Sequence, residues 1–127
     1  MVNKVLRNVF HFRGLAKSFK LAAIGIGYLF LYHRNMRIIF MAGIAAGLLG
    51  IYFKLRGIEL VALCITITLV FMAEIFNTAI ELIIDMANER YHPLIKLVKD
   101  ISAAVVLIAS LNAIAVGIIL FIKRIFI

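Results

Sequence analysis

The 127-residue sequence has one cysteine and one proline, so it has few residues that cross-link a chain or interrupt a helix. It has no tryptophan. The single thiol, Cys64, excludes an intrachain disulfide and a cysteine-based metal site. Acidic residues are also scarce, with 6 Asp+Glu against 14 Lys+Arg. Hydrophobic residues make up 65% of the chain, whereas roughly 45–50% is usual for a soluble domain. The composition therefore excludes an ordinary soluble domain and predicts a membrane protein.

The excess of basic residues gives a formal net charge of +8. In a soluble protein such a charge would suggest nucleic-acid binding. Here it accompanies a mean hydropathy of +1.13, which fits contact with anionic lipid headgroups instead. We therefore expect membrane lipids as partners and no nucleic acid.

Residues 1–33 combine basic and apolar side chains. Arg13, Lys17 and Lys20 recur at helical spacing and would share one face of a helix. The apolar stretch Leu21–Tyr32 is shorter than the ~17–25 residues of a spanning helix, and it lacks the small-residue cleavage site of a signal peptide. We predict an amphipathic interfacial region made of one or two helices that lie on the membrane surface.

Three longer apolar segments follow, and we predict transmembrane helices over residues 36–54, 58–86 and 98–122. Pro93 suits the first turn of the third helix. The predicted fold class is an all-α integral membrane protein, with residues 1–127 forming one domain. Ten lysines and arginines fall on the side of the N-terminus and four on the other side. We therefore predict a multi-pass protein of the plasma membrane with a cytoplasmic N-terminus.

The second predicted span carries four polar residues, Glu74, Asn77, Glu81 and Asp85. At about 100° per residue they fall within an arc of about 80°, so they form one polar stripe on an apolar helix. An acidic side chain within a membrane span costs several kcal/mol unless it faces protein, a cation or water. The stripe therefore indicates a functional site. The alternative is a set of structural polar residues that join helices.

The residue types in this stripe favour phosphate chemistry. Carboxylates and an amide oxygen are hard donors that favour Mg²⁺ over zinc. Lys99-Asp100, at the start of the third span, adds an ammonium group that can pair with phosphate oxygens and an acid that can bind or orient. Together the two features predict a phosphoryl-transfer site, because that reaction depends mainly on a metal, cationic groups and positioning.

Two other classes of protein remain open at this point. A proton-coupled transporter could use Glu74 as a proton relay, but it would need the acid near mid-bilayer with access from both sides. A non-catalytic helical scaffold would leave the three acids without a purpose.

The order Glu-x-x-Asn-Thr-Ala-Ile-Glu-x-x-x-Asp from Glu74 to Asp85, followed by Tyr91-His92 and Lys99-Asp100, resembles the motif of the prokaryotic diacylglycerol kinase family. The resemblance extends from about Ser18 to Phe121. It implies a small membrane lipid kinase that uses ATP and Mg²⁺ to phosphorylate the hydroxyl of undecaprenol or diacylglycerol. It also implies a homotrimer whose sites are shared between subunits.

The resemblance also implies a role for each residue. Glu74 would be the general base at the lipid hydroxyl, and Glu81 would be the Mg²⁺ ligand. Asn77 would position phosphate or metal, and Asp85 would lie toward the nucleotide. Lys99-Asp100 would meet the ATP phosphates.

At His33 the sequence departs from the family pattern, because many relatives have a metal-binding glutamate immediately before the Arg34-Asn35 pair. Three interpretations are open. His33 is a substitute metal ligand, an interfacial residue without a role, or a sign that the kinase is weakened or inactive.

Overall fold

A computed structural model gives the fold and describes residue 3, residues 12–87 and residues 93–126. The regular elements of these residues are all helical, which confirms the all-α part of the predicted fold class. They are α1 (Phe12–Tyr32), α2 (Arg34–Tyr52), α3 (Ile58–Ala87) and α4 (Pro93–Gly117), followed by a π-helical turn (Ile118–Ile122) and a last turn (Lys123–Ile125). The predictions for residues 4–11 and for Tyr91-His92 lie outside the described residues.

The chain divides into two compact units, Met1–Arg34 and Asn35–Ile127. In the first unit, α1 continues without a break for 21 residues. Its Gly14–Tyr32 stretch is long and apolar enough to cross a membrane. The helix is therefore longer than the apolar stretch Leu21–Tyr32, and its length does not exclude a span, so the interfacial position of α1 stays a prediction. The helix extends back through Lys17 and Lys20, whose aliphatic stems are compatible with an apolar surface.

In total, four helices of the described chain are long and apolar enough to span a membrane, which is one more than the three predicted spans. Three of them, α2, α3 and α4, belong to the second unit apart from Arg34. The prediction that Pro93 lies in the first turn of a helix is confirmed, since α4 begins at that residue. Proline suits this position because its missing N–H would have no partner within the helix.

The turn after α2 has the hydrogen bonding of a Schellman motif. Lys54 has a left-handed backbone with a φ of 59°, and the Leu55 N–H donates to the Gly50 carbonyl oxygen over 2.9 Å. Glycine usually occupies the left-handed position, because a side chain there costs roughly 1–2 kcal/mol. The motif ends α2 at Tyr52, two residues before the predicted end of the span 36–54.

The hydrophobic core of the second unit lies at this turn. Leu55 and Leu63 are each 4% exposed, and Leu120 of the π-helical turn is 8% exposed. The partly buried side chains packed against these three are Ala46, Ile67, Val116 and Phe121. Since Leu63 is near the start of α3 and Leu120 follows the end of α4, the core lies at the end of the helices opposite the α3–α4 connection.

Arg124 joins three segments at the same end. One guanidinium nitrogen is 2.6 Å from a carboxylate oxygen of Glu59, and another donates to the Phe53 carbonyl oxygen over 3.1 Å. The planar guanidinium group presents several donors at once, which suits two acceptors on different segments. These bonds connect the C-terminal end of the chain to the α2–α3 turn and to the first turn of α3.

Two glycines allow α2 to approach α3 closely. A Cβ added at Gly43 would lie 3.2 Å from Ile67 Cγ2, and one added at Gly50 would lie 2.7 Å from Leu63 Cδ2. Gly47, on the same helix, has nothing within 4 Å of such a Cβ. Gly43 and Gly50 therefore allow α2 to contact side chains of α3 closely, whereas Gly47 faces open space.

This difference predicts the effect of two matched substitutions. Gly50→Ala forces a methyl group against the buried Leu63, so it should lower the free energy of unfolding by about 1–3 kcal/mol. Gly47→Ala meets open space and should leave stability unchanged or raise it by up to about 1 kcal/mol through helix propensity. The measurement is chemical unfolding of the purified protein in detergent micelles, followed by circular dichroism. Equal shifts for the two variants would contradict the packing described here.

Candidate functional site

The polar stripe of α3 passes from buried to exposed. Glu74 is 5% exposed, and the neighbouring Thr78 is 2% exposed. Asn77 is half-buried, whereas Glu81 and Asp85, nearer the end of α3, are exposed. Glu74 and Asp85 are separated by about 16 Å along the helix axis, at ~1.5 Å per residue. The stripe therefore offers one acid inside the protein and two at the accessible end of the helix.

Asn77 connects the stripe to α4. The Ser102 hydroxyl donates to Asn77 Oδ1 over 2.9 Å, and Asn77 Nδ2 is 3.5 Å from Glu81 Oε1. A carboxylate is only an acceptor when ionised, so it favours the nitrogen end of the amide, which turns the oxygen end toward Ser102. The amide thus lies between a hydroxyl on one helix and a carboxylate on the other.

The Asn77–Ser102 hydrogen bond also shows which residues of α3 and α4 lie at the same height along the helix pair. Asn77 comes ten residues before the end of α3, and Ser102 comes nine residues after the start of α4, so the two helices run antiparallel. From this bond toward the connection, Glu81 is about 6 Å along α3 and Lys99 about 4.5 Å along α4. The backbones of Glu81 and Lys99 therefore lie at nearly the same height along the helix pair.

The Asp100 side chain does not point toward α3. At about 100° per residue it points about 160° away from Ser102, and Ser102 is the residue that faces α3. Its carboxylate lies 2.9 Å from Lys96 Nζ, and both side chains are more than half exposed. Exposed pairs of this kind contribute little stability, roughly 0–1 kcal/mol, so Asp100 can readily exchange this partner for another.

An apolar cavity of ≈ 390 Å³ reaches the hydrogen-bonded pair. Its polar lining residues are Asn77 and Ser102, and its apolar walls are Phe76, Ile80, Val98, Ile101 and Val105. The Asn77–Ser102 pair is therefore next to open space between the two helices rather than enclosed on all sides.

The donors present fit Mg²⁺ bound together with a phosphate. Among residues 3, 12–87 and 93–126, no group of three or more His, Cys, Asp or Glu side chains could hold a metal ion by itself. Mg²⁺ is often held by one or two carboxylates, with phosphate oxygens and waters completing its shell. The exposed Glu81 would supply such a carboxylate, whereas an all-protein cage for the ion would need more donors than the described residues bring together.

His33 lies in the first unit, at the break between α1 and α2. Its backbone N–H donates to the Leu29 carbonyl oxygen over 3.0 Å, and its ring centroid is 5.8 Å from that of Tyr28. The imidazole is only partly exposed. Its backbone thus closes the last turn of α1, and its ring packs beside an aromatic neighbour.

The sequence profile for prokaryotic diacylglycerol kinase matches residues 20–121, a range that contains every predicted site residue. The chain belongs to the prokaryotic diacylglycerol kinase family. The resemblance found in the sequence motif is thereby confirmed.

Two relatives with established names are similar to this family member. A diacylglycerol kinase of Synechocystis sp. is 36% identical over 104 residues, which are 81% of this chain and 59% of the relative. An undecaprenol kinase of Bacillus subtilis is 31% identical over 108 residues, which are 85% of this chain and 88% of the relative. The aligned part of the chain thus spans about three-fifths of the first relative's length.

The position of His33 in this family member leads to a prediction. If residue 33 helps to hold a cation, a glutamate there would add one negative charge to the site, and hard cations bind more tightly as the carboxylate count rises. We therefore expect His33→Glu to lower the Mg²⁺ concentration that gives half-maximal activity. If His33 is itself a ligand, Mn²⁺ should support the wild type unusually well, and His33→Ala should remove that preference. Activity is titrated with Mg²⁺ and Mn²⁺ for all three proteins, and superimposable curves would exclude a metal role.

Proposed function

We propose that this chain is a membrane lipid kinase that transfers the γ-phosphoryl group of ATP to the hydroxyl of undecaprenol or diacylglycerol. The observation that carries the proposal is the Ser102–Asn77 hydrogen bond, which brings Glu81 of α3 level with Lys99 of α4. A carboxylate for a cation and an ammonium group for phosphate oxygens are the parts that phosphoryl transfer requires. The family and the names of its two relatives support the same reaction.

In the proposed reaction Glu74 accepts the proton of the lipid hydroxyl. The hydroxyl oxygen forms a bond to the γ-phosphorus while the bond from that phosphorus to the β–γ bridging oxygen breaks, and ADP leaves. Glu74 is 5% exposed and lies about 10 Å farther from the α3–α4 connection than Glu81. In the proposed reaction the lipid hydroxyl would approach from that side. Asn77 lies between the two acids and would orient the transferred group.

Glu81 would hold Mg²⁺ together with the ATP phosphates, and Asn77 would help to orient this group. The ion, when bound, neutralises negative charge that builds up on the phosphoryl oxygens. Asp85 would lie toward the nucleotide, and Lys99 would pair with its phosphates. Asp100 would leave Lys96 to contact the nucleotide, which the weak exposed ion pair permits.

We infer a topology with α2, α3 and α4 as spans and α1 at the interface. Lys17 and Lys20 of α1 would then meet anionic headgroups. The N-terminus and the α3–α4 connection would be cytoplasmic, which puts the exposed acids of α3 within reach of ATP. A homotrimer would cover part of the apolar surface that the helices expose, for example Phe76 at 62% and Ile108 at 67%.

The distribution of the acids supports a kinase rather than a proton-coupled transporter. A carrier would place its carboxylate near mid-bilayer with access from both sides. Here two of the three acids are exposed at one end of α3, next to the start of α4, where Lys99 lies.

The direct test is an assay of the purified protein in mixed micelles with γ-labelled ATP, offering undecaprenol and diacylglycerol in parallel. Label in either lipid, dependent on Mg²⁺, is the expected result. The lipid that is labelled identifies the acceptor. Hydrolysis of ATP with no label in either lipid would overturn the proposal.

Removing the charge of Glu81 tests the cation site. Glu81→Gln should lower turnover by more than about 10²-fold, because the lost charge weakens stabilisation of the transition state. The control is Glu59→Gln, the same change on the same helix at the opposite end, which should keep substantial activity. Size-exclusion chromatography and circular dichroism check that both variants are folded. Substantial Mg²⁺-dependent turnover in Glu81→Gln would contradict the assignment.

The roles of Glu74 and Asp85 should separate in the kinetic constants. Glu74→Gln removes the base, so kcat should fall by about 10²–10⁴-fold with little change in KM for ATP. Asp85→Asn, at the nucleotide end of the stripe, should mainly raise KM for ATP. Steady-state kinetics at saturating lipid measures both constants. Loss of ATP binding in Glu74→Gln would show that its role is misassigned.

A further inference from the structure

Ser102 is the one residue among those described in α4 that is buried, at 8% exposed, although it carries a hydroxyl group. Its oxygen lies 2.9 Å from Asn77 Oδ1 and 2.9 Å from the carbonyl oxygen of Lys99. A hydroxyl has one hydrogen, so the two acceptors share it or compete for it. Ser102 therefore contacts both helices that carry the proposed metal and phosphate groups.

The Asn77 amide depends on this contact for its position. Glu81 favours the nitrogen end of the amide, but its contact at 3.5 Å is long and involves an exposed side chain. The Ser102 contact is shorter by more than half an ångström and comes from a buried group on another helix. Ser102 is thus the firmer of the two contacts that hold the amide between the helices.

We propose that Ser102 is a positioning residue of this site: it holds the Asn77 amide against α4, within reach of the Glu81 carboxylate and of a divalent cation bound with a nucleoside triphosphate. The proposal rests on the proposed function for the identity of the ligand. Groups that orient a metal ligand through a hydrogen bond commonly affect metal binding or activity by about 10–100-fold.

The test compares three variants of α4. Ser102→Ala removes the hydroxyl next to an existing cavity of ≈ 390 Å³, so the change removes one oxygen without adding bulk. Ser102→Thr keeps a hydroxyl, and its additional methyl group can extend toward the same cavity. Ser110→Ala is the matched control, because Ser110 lies on the same helix and lines a different cavity.

The first readout needs neither ATP nor activity. In protein labelled with ¹⁵N-asparagine, the side-chain amide resonances of Asn77, assigned with Asn77→Asp, should shift in Ser102→Ala. The resonances in Ser102→Thr and Ser110→Ala should stay close to those of the wild type. An Asn77 amide signal that is the same in Ser102→Ala and in the wild type would overturn the proposal.

The second readout separates positioning from folding. Ser102→Ala should raise the Mg²⁺ concentration for half-maximal activity, and the Mn²⁺ dissociation constant measured by electron paramagnetic resonance with a non-hydrolysable ATP analogue, by about tenfold. Ser102→Thr should restore both values to within about threefold of the wild type. A shifted amide signal with unchanged cation affinity would show that Ser102 is only structural.

Failure of the proposed function gives a different pattern. A wild type that labels no lipid overturns the kinase proposal, while the amide shift and the Mn²⁺ titration still test Ser102. An active wild type with cation affinity unchanged in Ser102→Ala overturns only the role of Ser102.

Discussion

Acidic side chains are costly in the apolar part of a membrane, and the positions of the acids along α3 reflect that cost. Glu74 is buried within the protein, whereas Glu81 and Asp85 are placed where the helix becomes accessible. Asn77 lies between them, and its amide bonds a hydroxyl on one side and approaches a carboxylate on the other. The buried part of the stripe can therefore remain polar, because no buried side-chain nitrogen or oxygen among the described residues lacks a hydrogen-bond partner.

The threonines of α3 illustrate how polar groups are accommodated without a functional site. The hydroxyl of Thr66 donates to the Ala62 carbonyl oxygen over 2.7 Å, and that of Thr68 donates to the Cys64 carbonyl oxygen over 2.8 Å. Each is satisfied by its own helix one turn back, so neither needs a partner from another element. Asn77 differs because its amide oxygen accepts from another helix, and that difference ties the stripe to α4.

The two ends of the second unit have different chemistry. One end holds the leucine core and the Arg124 bonds to Glu59 and Phe53, which join the turn and the C-terminal segment. The other end holds the exposed acids, Lys99 and a cavity that reaches Asn77. A packed end that fixes the helices leaves the opposite end open for ligands. The proposed reaction uses only the hydroxyl of the acceptor, a group that undecaprenol and diacylglycerol share, so one polar site can serve either lipid.

The sequence alone determined the helical class, the polar stripe and its face on α3, and the start of α4 at Pro93, because these depend on helical periodicity and on the backbone chemistry of single residues. The motif also determined the family. Only the tertiary structure decided that α1 is one continuous helix, that Lys54 takes a left-handed backbone, and that Asp100 turns away from the stripe toward Lys96. Ser102 had no distinguishing signal in the sequence, since a serine three residues after Lys99 fits any helix. Its contact with Asn77 joins residues 25 positions apart, and such contacts depend on how the helices pack rather than on the local pattern of the chain.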